Sequence, residues 1–124
     1  MMPITICKPF SIVTIPFPFT DLVKKKKRPA LVISSEEFQK ENSHITLLMI
    51  TTAKHSQWFG DYLITDLKTA QLPVTSYIRQ KIFTIDSRLI EKKLGALSHK
   101  DAENVTKLLK ESIAIEQALK TRAH

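Results

Sequence analysis

The sequence predicts a β-rich α+β fold: a small barrel or strongly curved sheet, with short helices and one long C-terminal helix packed against it. Three observations lead there. Short apolar runs with strand periodicity crowd the first two-thirds of the chain, and the last quarter carries one long helical pattern. The third is size: 124 residues with no internal repeat and no low-complexity linker suffice for one core but not two, so residues 1–124 are read as one domain.

From Ser11 to Phe19 the odd positions Val13, Ile15, Phe17 and Phe19 are apolar, the period of a strand with one apolar face. Pro16 and Pro18 remove backbone donors from the same edge, which predicts that this edge is unpaired toward the end of the strand. Arg28 to Ser34 and Ile45 to Thr52 are the next strands. The second is an almost unbroken apolar run, expected to be central and covered on both faces. Between them Ser34-Ser35-Glu36-Glu37 reads as a capped helix start, with Glu37 completing a capping box on Ser34. Tyr62 to Thr65, Ser76 to Arg79 and Lys81 to Ile85 supply further short strands, five or six in all, and Asp86-Ser87 caps a helical turn through Ile90. Ser98 opens the last helix, in which Ala102, Val105, Leu108, Leu109, Ser112, Ile115 and Leu119 recur at helical spacing. Glu116 falls inside that stripe, so the last turns are expected to project beyond the core or to meet a partner.

Composition narrows the function classes. A net charge of +7 favours a polyanionic partner: nucleic acid, an acidic protein segment or an anionic membrane. No basic amphipathic helix with an aromatic face and no run of membrane-spanning length is present, so no membrane role is expected. The lone cysteine, Cys7, cannot close an intrachain disulfide, and no Cys/His spacing suits zinc. The first twenty residues, broken by Pro9, Pro16 and Pro18, do not read as a secretory signal. A cytoplasmic protein without metal or cofactor is the expectation.

The segment Ile12-Val13-Thr14-Ile15-Pro16-Phe17-Pro18-Phe19-Thr20-Asp21, a lysine-rich loop, and then Arg28-Pro29-Ala30-Leu31-Val32-Ile33-Ser34 resembles the opening of MazF/PemK-family toxins. Met49-Ile50-Thr51-Thr52, the block Ser76 to Asp86, and Leu94-Gly95-Ala96-Leu97-Ser98 resemble later family blocks in the same order, so the likeness reaches from about Ile12 to the final helix. The resemblance implies an SH3-like barrel with appended helices and a homodimer. It also implies sequence-selective cleavage of single-stranded RNA (mRNA), and inhibition by a cognate antitoxin protein whose disordered tail lies over the RNA groove. Two departures stand out: Phe10-Ser11 where the family usually has Gly-Asp, and a short, glycine-free, basic loop Leu22-Val23-Lys24-Lys25-Lys26-Lys27. If the missing Asp positions the catalytic arginine in relatives, activity or sequence preference would be altered here.

Metal-independent RNA cleavage uses the substrate's 2′-hydroxyl as nucleophile. The protein must help remove its proton, stabilise the crowded phosphorus centre and protonate the leaving 5′-oxygen. The resemblance makes Arg28 and Thr51 the catalytic pair. Arg28 offers a permanently charged planar donor set matched to phosphate, and Thr51 a hydroxyl at the end of a rigid strand. The family assigns acid/base work to the arginine, but a side chain with a pKa above ~12 is a poor base near neutrality, so electrostatic stabilisation is the role expected here.

Lys24, Lys25, Lys26 and Lys27 form with Arg28 five consecutive cations, a track for the backbone of a single strand. Thr52, His55 and Trp58 are candidate RNA contacts in and after the central strand. Two roles are open to Trp58 and Phe59: stacking on bases, or sealing the barrel end or dimer interface. Ser76, Arg79 and Lys81 are secondary RNA-binding candidates, with Arg79 and Lys81 on one face and Ser76 opposite if the strand is regular. Rival functions on such a barrel are a non-catalytic module that holds RNA or antitoxin, and a DNA gyrase-directed toxin of related fold.

Overall fold

The computed structural model describes residues 4–16, 27–52 and 56–122. Among these residues six antiparallel strands form one curled sheet: β1 (Ser11–Pro16), β2 (Lys27–Val32), β3 (His44–Thr51), β4 (Tyr62–Leu63), β5 (Tyr77–Asp86) and β6 (Lys92–Ala96). Their spatial order is β4-β5-β3-β2-β1-β6. Helix α1 (Glu36–Asn42) joins β2 to β3 and α2 (Leu67–Ala70) follows β4. The chain ends in α3 (His99–Ser112) and α4 (Ile115–Arg122).

β3 is central, as its apolar run requires. Leu48 and Ile50 face one buried cluster with Ile12, Leu31, Ile78 and Val105, while Ile45 and Leu47 face a second with Val13, Ile15, Ala30, Val32 and Cys7. α3 covers the first cluster through Val105, Ala102 and Leu109. The N-terminal segment covers the second, held by the fully buried Gln39 of α1, whose amide accepts from Cys7 N (2.8 Å) and donates to Cys7 O (2.7 Å). Cys7 is thus a packed core residue, and burial pushes its thiol pKa up, away from nucleophilic use.

β1 differs from the one-faced strand expected. Ile12 and Val13 are both completely buried, because the sheet curls and has a cluster on each side. The proline reading holds at Pro16. The Thr14 carbonyl accepts from Glu91 N on the β6 side, so position 16 faces that same edge, beyond the last β1–β6 pair at Thr14–Lys92. Pro18 lies outside the described residues.

The cap of α1 is one residue later than expected. Ser35 accepts from Phe38 N, while the buried Ser34 turns its hydroxyl to Thr46 N and ties β2 to β3. The segments Ser76 to Arg79 and Lys81 to Ile85 belong to one ten-residue strand, β5. Leu48 pairs with Ile82 but Met49 with Arg79, so Gln80 and Lys81 bulge from the ladder. The expected long C-terminal helix is two helices, parted at Ile113, which has extended backbone (φ −99°, ψ 93°). α4 buries none of its residues, and Ile115 and Leu119 are exposed on it.

The curl brings the two ends of the sheet together. α2, following edge strand β4, packs on the opposite edge strand β6, where a Cβ on Gly95 would meet the carbonyl oxygens of Ala70 and Thr69 at 2.7 Å. Only glycine permits that approach.

Candidate nucleic-acid interface

Arg28 and Thr51 end adjacent strands. The β2–β3 ladder pairs Ala30 with Met49, and counting two residues onward brings Arg28 abreast of Thr51. On the far flank Thr51 pairs with Tyr77 and Met49 with Arg79, and on the near flank Arg28 pairs with Ile15. Cross-strand partners share a face, so Arg28, Thr51, Tyr77 and Arg79 lie on the face that carries Ile15, Ala30 and Leu47. The apolar cluster beneath them gives way to polar groups at this end of the sheet. Thr51 is buried on the strand, Arg28 is half-buried and Thr52 is exposed. A guanidinium and a hydroxyl supported on paired strands are suited to a phosphate: the cation neutralises charge and the hydroxyl donates one hydrogen bond.

Arg79 is a heavily engaged cation. It is 6% exposed and grips the Ser56–Asp61 segment. Nε and one terminal nitrogen donate to the two oxygens of Asp61 (3.2 and 2.9 Å), and the terminal nitrogens also reach the carbonyl (2.9 Å) and hydroxyl (3.4 Å) of Ser56. The guanidinium lies 5.2 Å from the centre of the Trp58 ring. Asp61 in turn accepts from Trp58 N. Burial pushes the Asp61 carboxyl pKa up, but the hydrogen bonds from Arg79 and Trp58 outweigh it and hold it below its usual value.

The other candidates scatter around this centre. Lys27, at the start of β2, makes an exposed ion pair with Glu91 at 3.2 Å. Lys81 is exposed on the β5 bulge. Ser76 is buried and donates to the Val74 carbonyl of its own loop (2.8 Å). Because Gln80 and Lys81 leave the ladder, the regular alternation assumed for Arg79 and Lys81 is broken: one is buried and the other exposed. Trp58 and Phe59 are exposed, Phe59 completely, so neither seals the barrel within this chain. Lys24, Lys25, Lys26 and His55 lie outside the described residues.

Ser11 is far from the arginine. It lies four residues up β1 from Ile15, the partner of Arg28, or ~13 Å along the strand. An acid at position 11 would not touch Arg28. Phe10 has φ 70°, a left-handed backbone that glycine adopts freely, and its N–H and C=O bind Val32 O and Leu97 N. The Phe10-Ser11 departure therefore alters the junction of β1, β2 and β6.

Sequence reasoning does not single out Asp101, a completely buried carboxylate in the first turn of α3. It accepts from Tyr62 Oη (2.5 Å), Thr65 Oγ1 (2.7 Å), and the backbone N–H groups of Thr65 and Asp66. Burial raises its pKa, but these donors lower it further than burial raises it. Among the described residues no group of three or more His, Cys, Asp or Glu side chains could hold a metal ion, and no helix is long and apolar enough to cross a membrane.

A curled antiparallel sheet of this order, with helices on its faces, defines a small β-rich barrel protein. Residues 8–113 match the family model described as PemK-like, MazF-like toxin of type II toxin–antitoxin system, and the chain belongs to that family. Among solved structures, MazF from Deinococcus radiodurans superposes with a TM-score of 0.69 at 16% identity, covering 90% of this chain and 99% of its own. An endoribonuclease in complex with its cognate antitoxin, from a mycobacterial species, gives 0.67 at 14% identity and 88% and 94% coverage. Mycobacterium tuberculosis toxin MazF-mt6 gives 0.65 at 15%, with 84% and 96%. At these identities the likeness is one of fold. Comparison with curated proteins finds no match.

Proposed function

We propose that this toxin is a metal-independent endoribonuclease that cuts single-stranded RNA at short sequences by attack of the 2′-hydroxyl on the adjacent phosphate. The observation that supports this reading is the β2–β3 register, which ends at the Ala30–Met49 pair and, continued by two residues, brings Arg28 beside Thr51, within a family fold whose solved neighbours include endoribonucleases. Arg28 stabilises the negative charge that builds on the phosphate oxygens, and Thr51 donates a hydrogen bond from a fixed position. Lys24 to Lys27 extend the positive surface along the incoming strand. The protein acts as a homodimer in the cytoplasm and is restrained by an acidic segment of a cognate antitoxin, for which the net charge of +7 is complementary. The remoteness of Ser11 from Arg28 supports this reading over a non-catalytic module on the same barrel.

The test is incubation of purified protein with a long mixed-sequence RNA in EDTA, with mapping of fragment ends. Cleavage at a short recurring sequence leaving 5′-hydroxyl ends is expected. Arg28→Ala should lower the rate by about 10²–10³-fold, the usual effect of losing one charge-stabilising donor, while the protein stays folded. Intact RNA throughout, or an Arg28→Ala protein as active as wild type, would refute the assignment.

A further inference from the structure

The Trp58–Asp61 segment is a tight turn. Asp61 N donates to Trp58 O (3.1 Å), and Gly60 at the third position has φ 91°, the geometry that a type II turn reserves for glycine. At its tip the Phe59 ring is fully exposed, and Trp58 is 46% exposed with the Arg79 guanidinium beside its ring. The Phe59 ring buries nothing within the chain, and nearly half of Trp58 stays open to solvent. Flexible loops with such rings lose entropy when they bind, but this one is already fixed by the two-pronged Arg79–Asp61 pair and by the grip of Arg79 on Ser56. It is also close to the candidate centre, because Arg79 pairs with Met49, two residues before Thr51.

We propose that Arg79 is a positioning residue rather than a phosphate contact: it holds the turn so that Trp58 and Phe59 form a preorganised platform on which unpaired RNA bases stack beside the cleaved bond. This rests on the RNA-cutting reading above and assigns base preference to the turn. The indole sits between a cation and the incoming base, and the phenyl ring supplies a second stacking surface. Stacking of this kind binds ground state and transition state alike, so its loss raises KM and leaves kcat nearly unchanged.

The experiment compares wild type, Phe59→Ala, Arg79→Lys and the double variant, on cleaved RNA and on a 2′-O-methylated oligonucleotide that cannot be cut. Trp58, the single tryptophan, reports binding of the latter by fluorescence quenching. Phe59→Ala changes a fully exposed side chain and should leave folding intact. It is expected to raise KM by about ten- to a hundredfold, the worth of one stacked base. Arg79→Lys keeps the charge but loses the fork. It should raise KM likewise with the salt dependence of binding unchanged, and the double variant should be little worse than either single one. A third variant, Arg79→Gln, removes the charge, and a salt slope reduced by about 0.7 in it would mark a lost phosphate contact and overturn the proposal. A wild-type KM in Phe59→Ala would also overturn it. Should wild type cut no RNA yet show Trp58 quenching that weakens in Phe59→Ala, the platform stands and the cleavage reading falls. Absence of quenching defeats the platform itself.

Discussion

Asp101 shows how much a single side chain can hold. Its carboxylate binds Tyr62, Thr65 and the Asp66 backbone, joining the first turn of α3 to the stretch between β4 and α2. An amide would present its own N–H groups to donors already aimed at an oxygen, so Asp101→Asn should cost about 3 kcal/mol in denaturant titration. The folded pKa is depressed, so the stabilisation is fully present above the unfolded value of about 3.9 and is lost as pH falls through the lower folded value. Wild type should therefore lose more melting temperature between pH 6 and pH 3 than Asp101→Asn does. Equal losses would show that Asp101 is not a source of the acid sensitivity. Residue roles were legible where they are local: Asp86 accepts from Arg88 N and Ser98 from Asp101 N, as their short spacing required. The Asp101 and Arg79 networks join residues far apart in sequence, and no pattern in the chain announces such partners. Phe10 was noticed only as a departure from the family, and its left-handed backbone gives that departure a physical meaning: it accepts strain of about 1–2 kcal/mol where glycine would have none.

Among the elements, the contact of α2 with β6 closes the curl of the sheet. Gly95→Ala puts a methyl group against two backbone carbonyls that cannot swing aside, so it should destabilise by about 1–3 kcal/mol, the range for overpacking. Its effect should appear as a lower melting midpoint. An unchanged midpoint would mean that the sheet ends are held elsewhere. Long periodic elements were readable, β3 and α3 above all, because many apolar positions agree on one face or one stripe. β6 was not read as a strand: Lys92-Lys93-Leu94-Gly95-Ala96 has two exposed lysines and a glycine, and its strand character comes from pairing with β1. α2 has only four residues and depends on its Asp66 cap. The split between α3 and α4 was hidden because Ile115 and Leu119 continue the apolar spacing on a helix that buries nothing. The matched family region, ending at residue 113, stops where α3 does.

For the whole molecule, charge governs the approach to RNA. If all five cations from Lys24 to Arg28 engage phosphates, log affinity for single-stranded RNA should fall against log salt with a slope of about −3.5. Replacing Lys24, Lys25 and Lys26 with alanine should bring that slope to about −1.4. An unaltered slope would place the phosphate track on another surface. The Lys27–Glu91 pair is exposed and weak, so it leaves Lys27 available to an incoming strand.

The order in which the chain is made has a bearing on when this surface exists. β1 emerges early and pairs on one flank with β6, with 78 residues separating Thr14 from the Lys92 carbonyl it reaches. Until β6, the Asp101 network and α3 have emerged, Ile12 and the cluster around it lack their cover and the sheet cannot close. A nascent chain therefore stays unfinished until α3 has been made. For a protein proposed to cut messenger RNA, that delay means the groove is completed only after the segment that carries β6 and α3 has left the ribosome.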